Sequence, residues 1–294
     1  MTIRIVAFCI VACLTILTAP GQTRKKARPS PTPDSAAPDY DVKWQKGPST
    51  GNLGDVAEVQ VPAGFVFAGA NDTKTIMEAN HNPVSGRELG FLSPADEGWF
   101  AVFEFDDVGF VRDDEKNSLD ANALLESIKT GTAEANKERE RRGWSTMTIV
   151  GWEQPPRYDA TTHNLEWAIR GTTDGQPVIN YNTRLLGRRG VMEVTLVMDP
   201  SEMSETLPKF KTMLAGFGFG QGQKYGEFRQ GDKIAQYGLT GLIVGGTSAV
   251  LVKTGVFKWL WKLIVAGAVG ISAFFRKVIA AIKRLFSRKS EFET

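Results

Sequence analysis

The sequence predicts an α+β domain built on an antiparallel sheet, with inserted and C-terminal helices, followed by a C-terminal membrane helical segment. Three observations support this prediction. Runs of alternating polarity are separated by short turn sequences, residues 119–142 have helical periodicity, and residues 234–252 contain no charged side chain. Strands joined by hairpins, with helices placed between them, are typical of the α+β class.

The first half of the body contains two short strands and one short helix. Residues 55–61 alternate in polarity and end at Pro62, which predicts a strand. Asn71 is a suitable N-cap for a helix that extends to Ala79. Residues 99–105 are apolar on both faces, and this pattern indicates a central strand.

The longest helix is predicted over residues 119–142. Asp120 occupies a plausible N-cap position, and Gly143 fits the position after the last turn. Further along the chain, Asp199-Pro200 has the order of residues that opens a helix. We expect Pro208 to break or kink that helix.

A hairpin is predicted where residues 178–186 and 191–198 flank the turn 187–190. The more apolar face of this hairpin should cover the core beneath helix 119–142; it consists of Ile179, Tyr181, Leu185, Met192, Val194, Leu196 and Met198. The opposite face should lie near water; it consists of Asn180, Asn182, Arg184, Glu193 and Thr195. This second face is the predicted binding surface for a ligand or partner, although an ordinary solvated sheet face would have the same pattern.

The N-terminal part of the chain has the features of an export signal. Residues 1–21 combine a basic residue, an apolar run and small residues, as signal peptides do. An uncleaved anchor and a lipid-modified Cys13 are the alternatives. Residues 22–50 form a Pro-rich linker, and residues 51–230 form the exported domain.

The C-terminal part, residues 231–294, is predicted to be a transmembrane and basic anchor. Either 234–252 or 257–275 is long enough to span a bilayer. Basic residues follow both runs, so this end should lie in the cytoplasm and the body in the periplasm. The expected membrane contact covers residues 234–286.

Composition excludes several classes of function. Residues 40–230 contain 20 basic and 28 acidic residues, which argues against a domain that binds nucleic acid. Both cysteines lie in the first apolar run, and the chain has two histidines. A cysteine nucleophile and a multi-histidine metal site are therefore absent from the body, and we expect neither a metal nor a cofactor.

One segment, residues 151–163, offers a weak catalytic hypothesis. His163 could act as a general base oriented by Asp159, in a membrane-tethered, hydrolase-like enzyme. The structural alternative is a rigid turn at Pro155-Pro156 in which Tyr158 packs and Asp159 caps the turn. The acids between 106 and 115 have a similar alternative, because they form either a Ca²⁺ or Mg²⁺ site or a solvated turn.

Several segments together resemble a known family. They are WQKGPSTGNLG at 44–54, VPAGFVFAGA at 61–70, RELGFLSP at 87–94, the helical stretch at 113–144, GWEQPPRYDATTHNLEWA at 151–168, NYNTRLLGRRGVMEVTL at 180–196 and KYGEFRQGDKIAQYGLTGLI at 224–243. In these segments the chain is similar to the bacterial, membrane-anchored family called domain of unknown function 2167. The resemblance implies export and a membrane anchor, but no reaction and no catalytic residue. We therefore expect a bacterial envelope protein whose domain binds a small ligand or another envelope protein.

Overall fold

The structure is a computed structural model that describes residues 42–95 and 98–245. The predicted signal peptide, most of the linker and the apolar run 257–275 lie outside the described residues. None of the helices in the described ranges has the length and hydropathy needed to cross a membrane.

Eleven strands and four α-helices make up the described part of the chain. The strands are β1 (Gln45–Lys46), β2 (Ser49–Leu53), β3 (Ala57–Val61), β4 (Phe65–Gly69), β5 (Glu88–Pro94), β6 (Phe100–Asp106), β7 (Met147–Asp159), β8 (Asn164–Thr173), β9 (Gln176–Leu186), β10 (Val191–Met198) and β11 (Phe217–Phe219). The helices are α1 (Ala70–Ala79), α2 (Ala121–Arg141), α3 (Met203–Leu214) and α4 (Leu239–Val244).

Two antiparallel sheets organise these elements. The large sheet has the order β1-β4-β5-β6-β10-β9-β8-β7, and the small sheet has the order β11-β3-β2. The predicted strand at 99–105 is confirmed as β6, which lies inside the large sheet between β5 and β10. The short strand β11 pairs with β3 at the edge of the small sheet. The structure is therefore of the predicted α+β type with antiparallel sheets.

The hairpin register is as predicted, but its apolar face packs against a different helix. Val194 and Leu196 are fully buried in a core shared with the small sheet and with Phe210 and Met213 of α3. The prediction that α2 covers this face is wrong. Helix α2 connects β6 to β7 at the far edge of the sheet, and it packs through Leu124 on the opposite face.

The opposite face of the large sheet is covered at both ends. Helix α1 packs over β4, β5 and β6 through Ile76 and Met77. Helices α2 and α4 pack over β8 and β9, where Leu242 and Trp167 belong to the same apolar cluster. The charged positions of β6, β10 and β9 lie on the strands between these two groups of helices.

The ordered domain is longer than the predicted range 51–230. It begins at Gln45, inside the predicted linker, where β1 pairs with β4. It continues to α4, whose residues Leu239, Leu242 and Ile243 are buried in the domain. These apolar residues were predicted to be part of a membrane segment, because composition alone does not distinguish a core helix from the start of a membrane span.

Helix ends follow the predicted capping rules in most cases. The Asp120 side chain accepts hydrogen bonds from the backbone N–H groups of Asn122 and Ala123, as an N-cap should. The N-cap predicted at Asn71 is wrong, because α1 begins at Ala70 and Gly69 occupies the cap position. Of the two predicted effects of Pro208, a break or a kink, the break does not occur, since α3 continues through this residue. A proline removes one backbone hydrogen bond, and burial of Phe210 and Met213 holds the rest of this helix in place.

Candidate functional site

The Pro-Pro segment is part of a strand rather than a turn. Pro155 and Pro156 lie within β7, at the edge of the large sheet, inside the shift in register between Gln154 and Arg157 against β8. Proline is tolerated at a sheet edge because the missing N–H would point away from the partner strand. The predicted turn at these residues is therefore wrong, and the actual turn follows at residues 160–163.

His163 and Asp159 lie at this turn but have different partners. The Nδ1 atom of His163 lies 3.1 Å from the Tyr158 hydroxyl, and its ring packs against Tyr225 at 4.3 Å between centroids. Asp159 Oδ1 accepts a hydrogen bond of 2.8 Å from the Thr161 N–H, and such backbone donors lower the pKa of Asp159. Asp159 therefore caps the turn, as the structural alternative predicts, and Tyr158 is the residue that orients His163.

The acidic segment around 106–115 is also occupied by structural contacts. Asp113 pairs with Lys116 at 3.3 Å, and Glu115 Oε2 accepts a hydrogen bond of 2.9 Å from the Thr240 N–H. Across residues 42–95 and 98–245, no group of three His, Asp or Glu side chains is arranged to hold a metal ion.

The predicted binding residues form a continuous polar strip across three neighbouring strands. We define the polar strip as Glu104 of β6, Glu193 and Thr195 of β10, and Asn180, Asn182 and Arg184 of β9. Glu104, Glu193 and Arg184 lie directly opposite one another in the sheet register. Thr195 Oγ1 donates to Asn182 Oδ1 at 3.3 Å. The structure thus brings together the five residues predicted from sequence.

The expectation that this face lies near water is wrong for half of the strip. Asn182, Arg184 and Thr195 are each 8% exposed. On the same face, next to the strip, Leu239 and Leu242 of α4 pack in one cluster with Leu186 of β9. The sequence prediction had assigned these α4 residues to the membrane and therefore lacked the element that covers the sheet.

Arg184 is the most unusual member of the polar strip. Its guanidinium lies over the Trp167 ring at 4.8 Å, and its Nη2 atom is 3.4 Å from Glu193 Oε2. Its Nε and Nη1 atoms are buried, and neither has a hydrogen-bond partner among the described residues. A buried donor without an acceptor costs roughly 1–3 kcal/mol, more when it is charged, and no described residue offsets this cost for the two N–H groups.

A second arginine links the polar strip to the surface. Arg87 Nη1 lies 3.1 Å from Asp106 Oδ2 and 3.7 Å from Glu193 Oε1, and its side chain is 38% exposed. The Tyr237 hydroxyl donates to the same Asp106 oxygen at 2.9 Å. Sequence reasoning missed Arg87 because this residue precedes β5 and comes near Glu193 only through the long-range pairing of β5 with β6 and of β6 with β10.

Glu104 faces another carboxylate across the sheet. Burial raises the pKa of Glu104, and the negative charges of Glu193 and Glu88 act in the same direction. A hydrogen bond of 2.5 Å from the Ser85 hydroxyl and the charge of Arg87 oppose the shift. Like charges directly opposite each other destabilise a sheet. The opposed pair Glu104 and Glu193 can therefore be identified from the sequence once the register of the two strands is known.

Comparison with known proteins places the chain in a family without assigning it an activity. No curated protein matches the chain. Among solved structures, the solution structure of cyanobacterial PsbP (CyanoP) from Synechocystis sp. PCC 6803 matches with a TM-score of 0.37 and 11% identity, over 64% of this chain and 99% of that chain. Similarity at this level transfers no function.

The family match is much more extensive. The family described as "Protein of unknown function (DUF2167)" matches residues 45–279, which is well over half of the 294-residue chain. The match includes every segment that carried the resemblance in the sequence, apart from Trp44 at the start of the first one. The chain therefore belongs to the family of proteins of unknown function DUF2167.

Proposed function

We propose that this protein is a membrane-tethered binding protein of the bacterial envelope, whose domain holds an anionic group of a small ligand at the polar strip. A single observation carries the proposal: Arg184 is buried, and its Nε and Nη1 donors have no acceptor among the described residues. Buried polar groups in native proteins are almost always hydrogen-bonded, so an exception in a charged cluster favours a ligand site.

The surroundings of Arg184 support binding rather than a purely structural role. Contact with Trp167 fixes the plane of the guanidinium, and Glu193 holds its Nη2 end. The remaining N–H groups are thereby oriented before any ligand arrives, which reduces the entropy lost on binding. Guanidinium groups suit carboxylates and phosphates because their planar donors match these anions.

The position of α4 supports one choice of membrane segment. Spanning the bilayer with residues 234–252 would remove Leu239, Leu242 and Ile243 from the core of the domain. The run 257–275 requires no such unpacking, and it precedes a basic end. We therefore favour 257–275 as the span, with the domain in the periplasm and the chain end in the cytoplasm.

Anion binding tests the first part of the proposal. The purified full chain in detergent should show a higher unfolding midpoint in acetate than in chloride at equal ionic strength. Arg184→Met should abolish this difference, and Arg184→Lys, which keeps the charge, should weaken it. Arg170→Met is the matched control, because Arg170 pairs with Glu153 at 2.6 Å away from the polar strip. Equal midpoints in both salts, or an anion effect that survives Arg184→Met, would contradict the proposal.

Fractionation tests the tether. A chain that ends at Gly245 keeps α4 and should be released from membranes after a salt wash, whereas the full chain should remain there. A periplasm-dependent reporter should be active when fused after Phe228 and silent when fused after Lys289. Retention of the shortened chain in the membrane would overturn the tether, and activity of both fusions would overturn the single crossing.

A further inference from the structure

We infer that the ligand of the polar strip is a short peptide bound through a free C-terminal carboxylate; this inference rests on the proposed function and specifies its ligand. Two unsatisfied positions on one strand point to it. Arg184 offers Nε and Nη1 as donors, and the buried Oδ1 atom of Asn180 has no hydrogen-bond donor among the described residues. The site therefore lacks both an acceptor and a donor, and a peptide supplies both.

The spacing of these two groups sets the length of the ligand. Asn180 and Arg184 are four residues apart on β9 and project from the same face. Their Cα atoms are thus about 13 Å apart at 3.3 Å per residue. A tripeptide spans roughly 10 Å when extended. The long arginine side chain covers the remaining distance, whereas a single carboxylate cannot reach both ends.

The flanking residues favour a peptide over a sugar. Asn180 lies opposite Ile169 on one neighbouring strand and Val197 on the other, and Asn182 lies opposite Trp167. These three apolar side chains border the path between the two unsatisfied groups. A sugar presents hydroxyls along its whole length and would leave them unpaired against such walls, at a cost for each. Small apolar side chains of a peptide avoid this cost.

The charges around Arg184 favour a carboxylate over a phosphate. Glu193 lies 3.4 Å from Arg184 Nη2, and Glu104 lies directly opposite Glu193. A doubly charged phosphate bound at Nε and Nη1 would be repelled by these acids, while a carboxylate carries a single charge. Recognition therefore combines attraction to Arg184 with exclusion of polyanions. Arg87, which contacts Glu193 and is partly exposed, marks the side from which a ligand approaches.

Calorimetric titration of the purified full chain with four probes tests the inference: acetate, alanine, trialanine and trialanine amide. Trialanine should bind at least about tenfold more tightly than acetate or alanine, because it satisfies both ends of the site. Trialanine amide should lose at least about tenfold, since it lacks the carboxylate. Asn180→Ala should remove the advantage of trialanine over acetate, and Arg184→Lys should weaken binding of every carboxylate probe.

Asn52→Ala is the matched control for the asparagine, because Asn52 is exposed on the small sheet and its variant should bind trialanine like the parent chain. Equal affinities for acetate and trialanine would overturn the peptide inference while leaving anion binding intact. Equal affinities for trialanine and its amide would overturn the role of the carboxylate. If no probe binds and Arg184→Met changes nothing in any salt, both the inference and the proposed function fail.

Discussion

Arg188 and Asp232 form a two-pronged ion pair that ties the β9–β10 turn to the segment before α4. The Nε atom lies 2.7 Å from Oδ2, and the Nη2 atom lies 2.7 Å from Oδ1. Asp232 Oδ2 also accepts a hydrogen bond of 2.7 Å from the Arg229 N–H. This pair gives Arg188 a structural role, because it holds the segment before α4 against the β9–β10 turn.

Asp232→Asn should make the domain less sensitive to acid. The hydrogen bonds from Arg188 and the Arg229 N–H lower the pKa of Asp232 to about 2 from its usual 3.8. A carboxyl with a lowered folded-state pKa stabilises the fold above the unfolded pKa, and that stabilisation is lost as the pH falls toward 2. In denaturant titrations at pH 7, 4 and 2.5, the parent chain should therefore lose its advantage over the variant between pH 4 and 2.5.

Asp55→Asn is the control for this experiment. Asp55 pairs with Arg189 at 3.5 Å, but its side chain is 83% exposed. Exposed ion pairs contribute little, so this variant should follow the parent chain at every pH. A constant difference between Asp232→Asn and the parent chain across the range would contradict the assigned role of the carboxylate.

Leu242→Ala tests whether α4 belongs to the domain. Leu242 is buried with Leu239 and Ile243 against the large sheet. Truncation of a buried leucine costs about 2–5 kcal/mol, so the free energy of unfolding of the full chain should fall by that amount. Ile234→Ala, at a residue that is exposed, should change it by less than about 1 kcal/mol. Similar small effects at both positions would place α4 outside the cooperative unit.

The sequence predicted local structure well where one pattern determined it. Asp120 and Gly143 mark the ends of α2 because capping depends on the side chain and the backbone of a single residue. The hairpin faces were also correct, because burial of Val194 and Leu196 follows from a period of two. Predictions failed where a distant element decided the outcome. Which helix covers which face of the sheet depends on strand order, and no local pattern specifies that order.

Only part of the candidate site was predicted, because only part of it depends on a local pattern. Asn182, Arg184 and Glu193 share a face in any correct register of the hairpin. Arg87 and Glu104 join them only because β5 and β6 pair next to β10, and this long-range pairing has no signature in the sequence. The unsatisfied donors of Arg184 depend on the packing of Trp167 and α4, which only the structure reveals.

His163→Gln tests the catalytic hypothesis against the structural role of the turn. His163 has a φ of 55° and contacts Tyr158 and Tyr225. Loss of the Tyr158 contact and the backbone strain should lower the free energy of unfolding by about 1–2 kcal/mol, measured by denaturant titration. His163→Asn should cost less, because asparagine tolerates positive φ. Binding of acetate by either variant should equal that of the parent chain, and a folded variant that loses binding would return this histidine to the functional site.

Glu104→Gln should remove a specific pH dependence from the stability of the domain. Burial and the opposing Glu193 raise the pKa of Glu104 above its usual 4.5, against the effects of Ser85 and Arg87. A carboxyl with a raised folded-state pKa favours the fold at pH values below the unfolded pKa, and this contribution is lost as the pH rises through the folded-state pKa. Relative to the parent chain, the glutamine variant should therefore gain stability as the pH rises from 4.5 to 8.

Denaturant titrations at several pH values between 4 and 8 measure this difference directly, because the other titrating groups are common to both chains. Glu153→Gln serves as the control, since Glu153 pairs with Arg170 away from the polar strip. Its variant should show no such gain with rising pH. If Glu104→Gln and the parent chain change in parallel over the whole range, the carboxylates of Glu104 and Glu193 do not repel each other across the sheet, and the polar strip is better hydrated than its burial indicates.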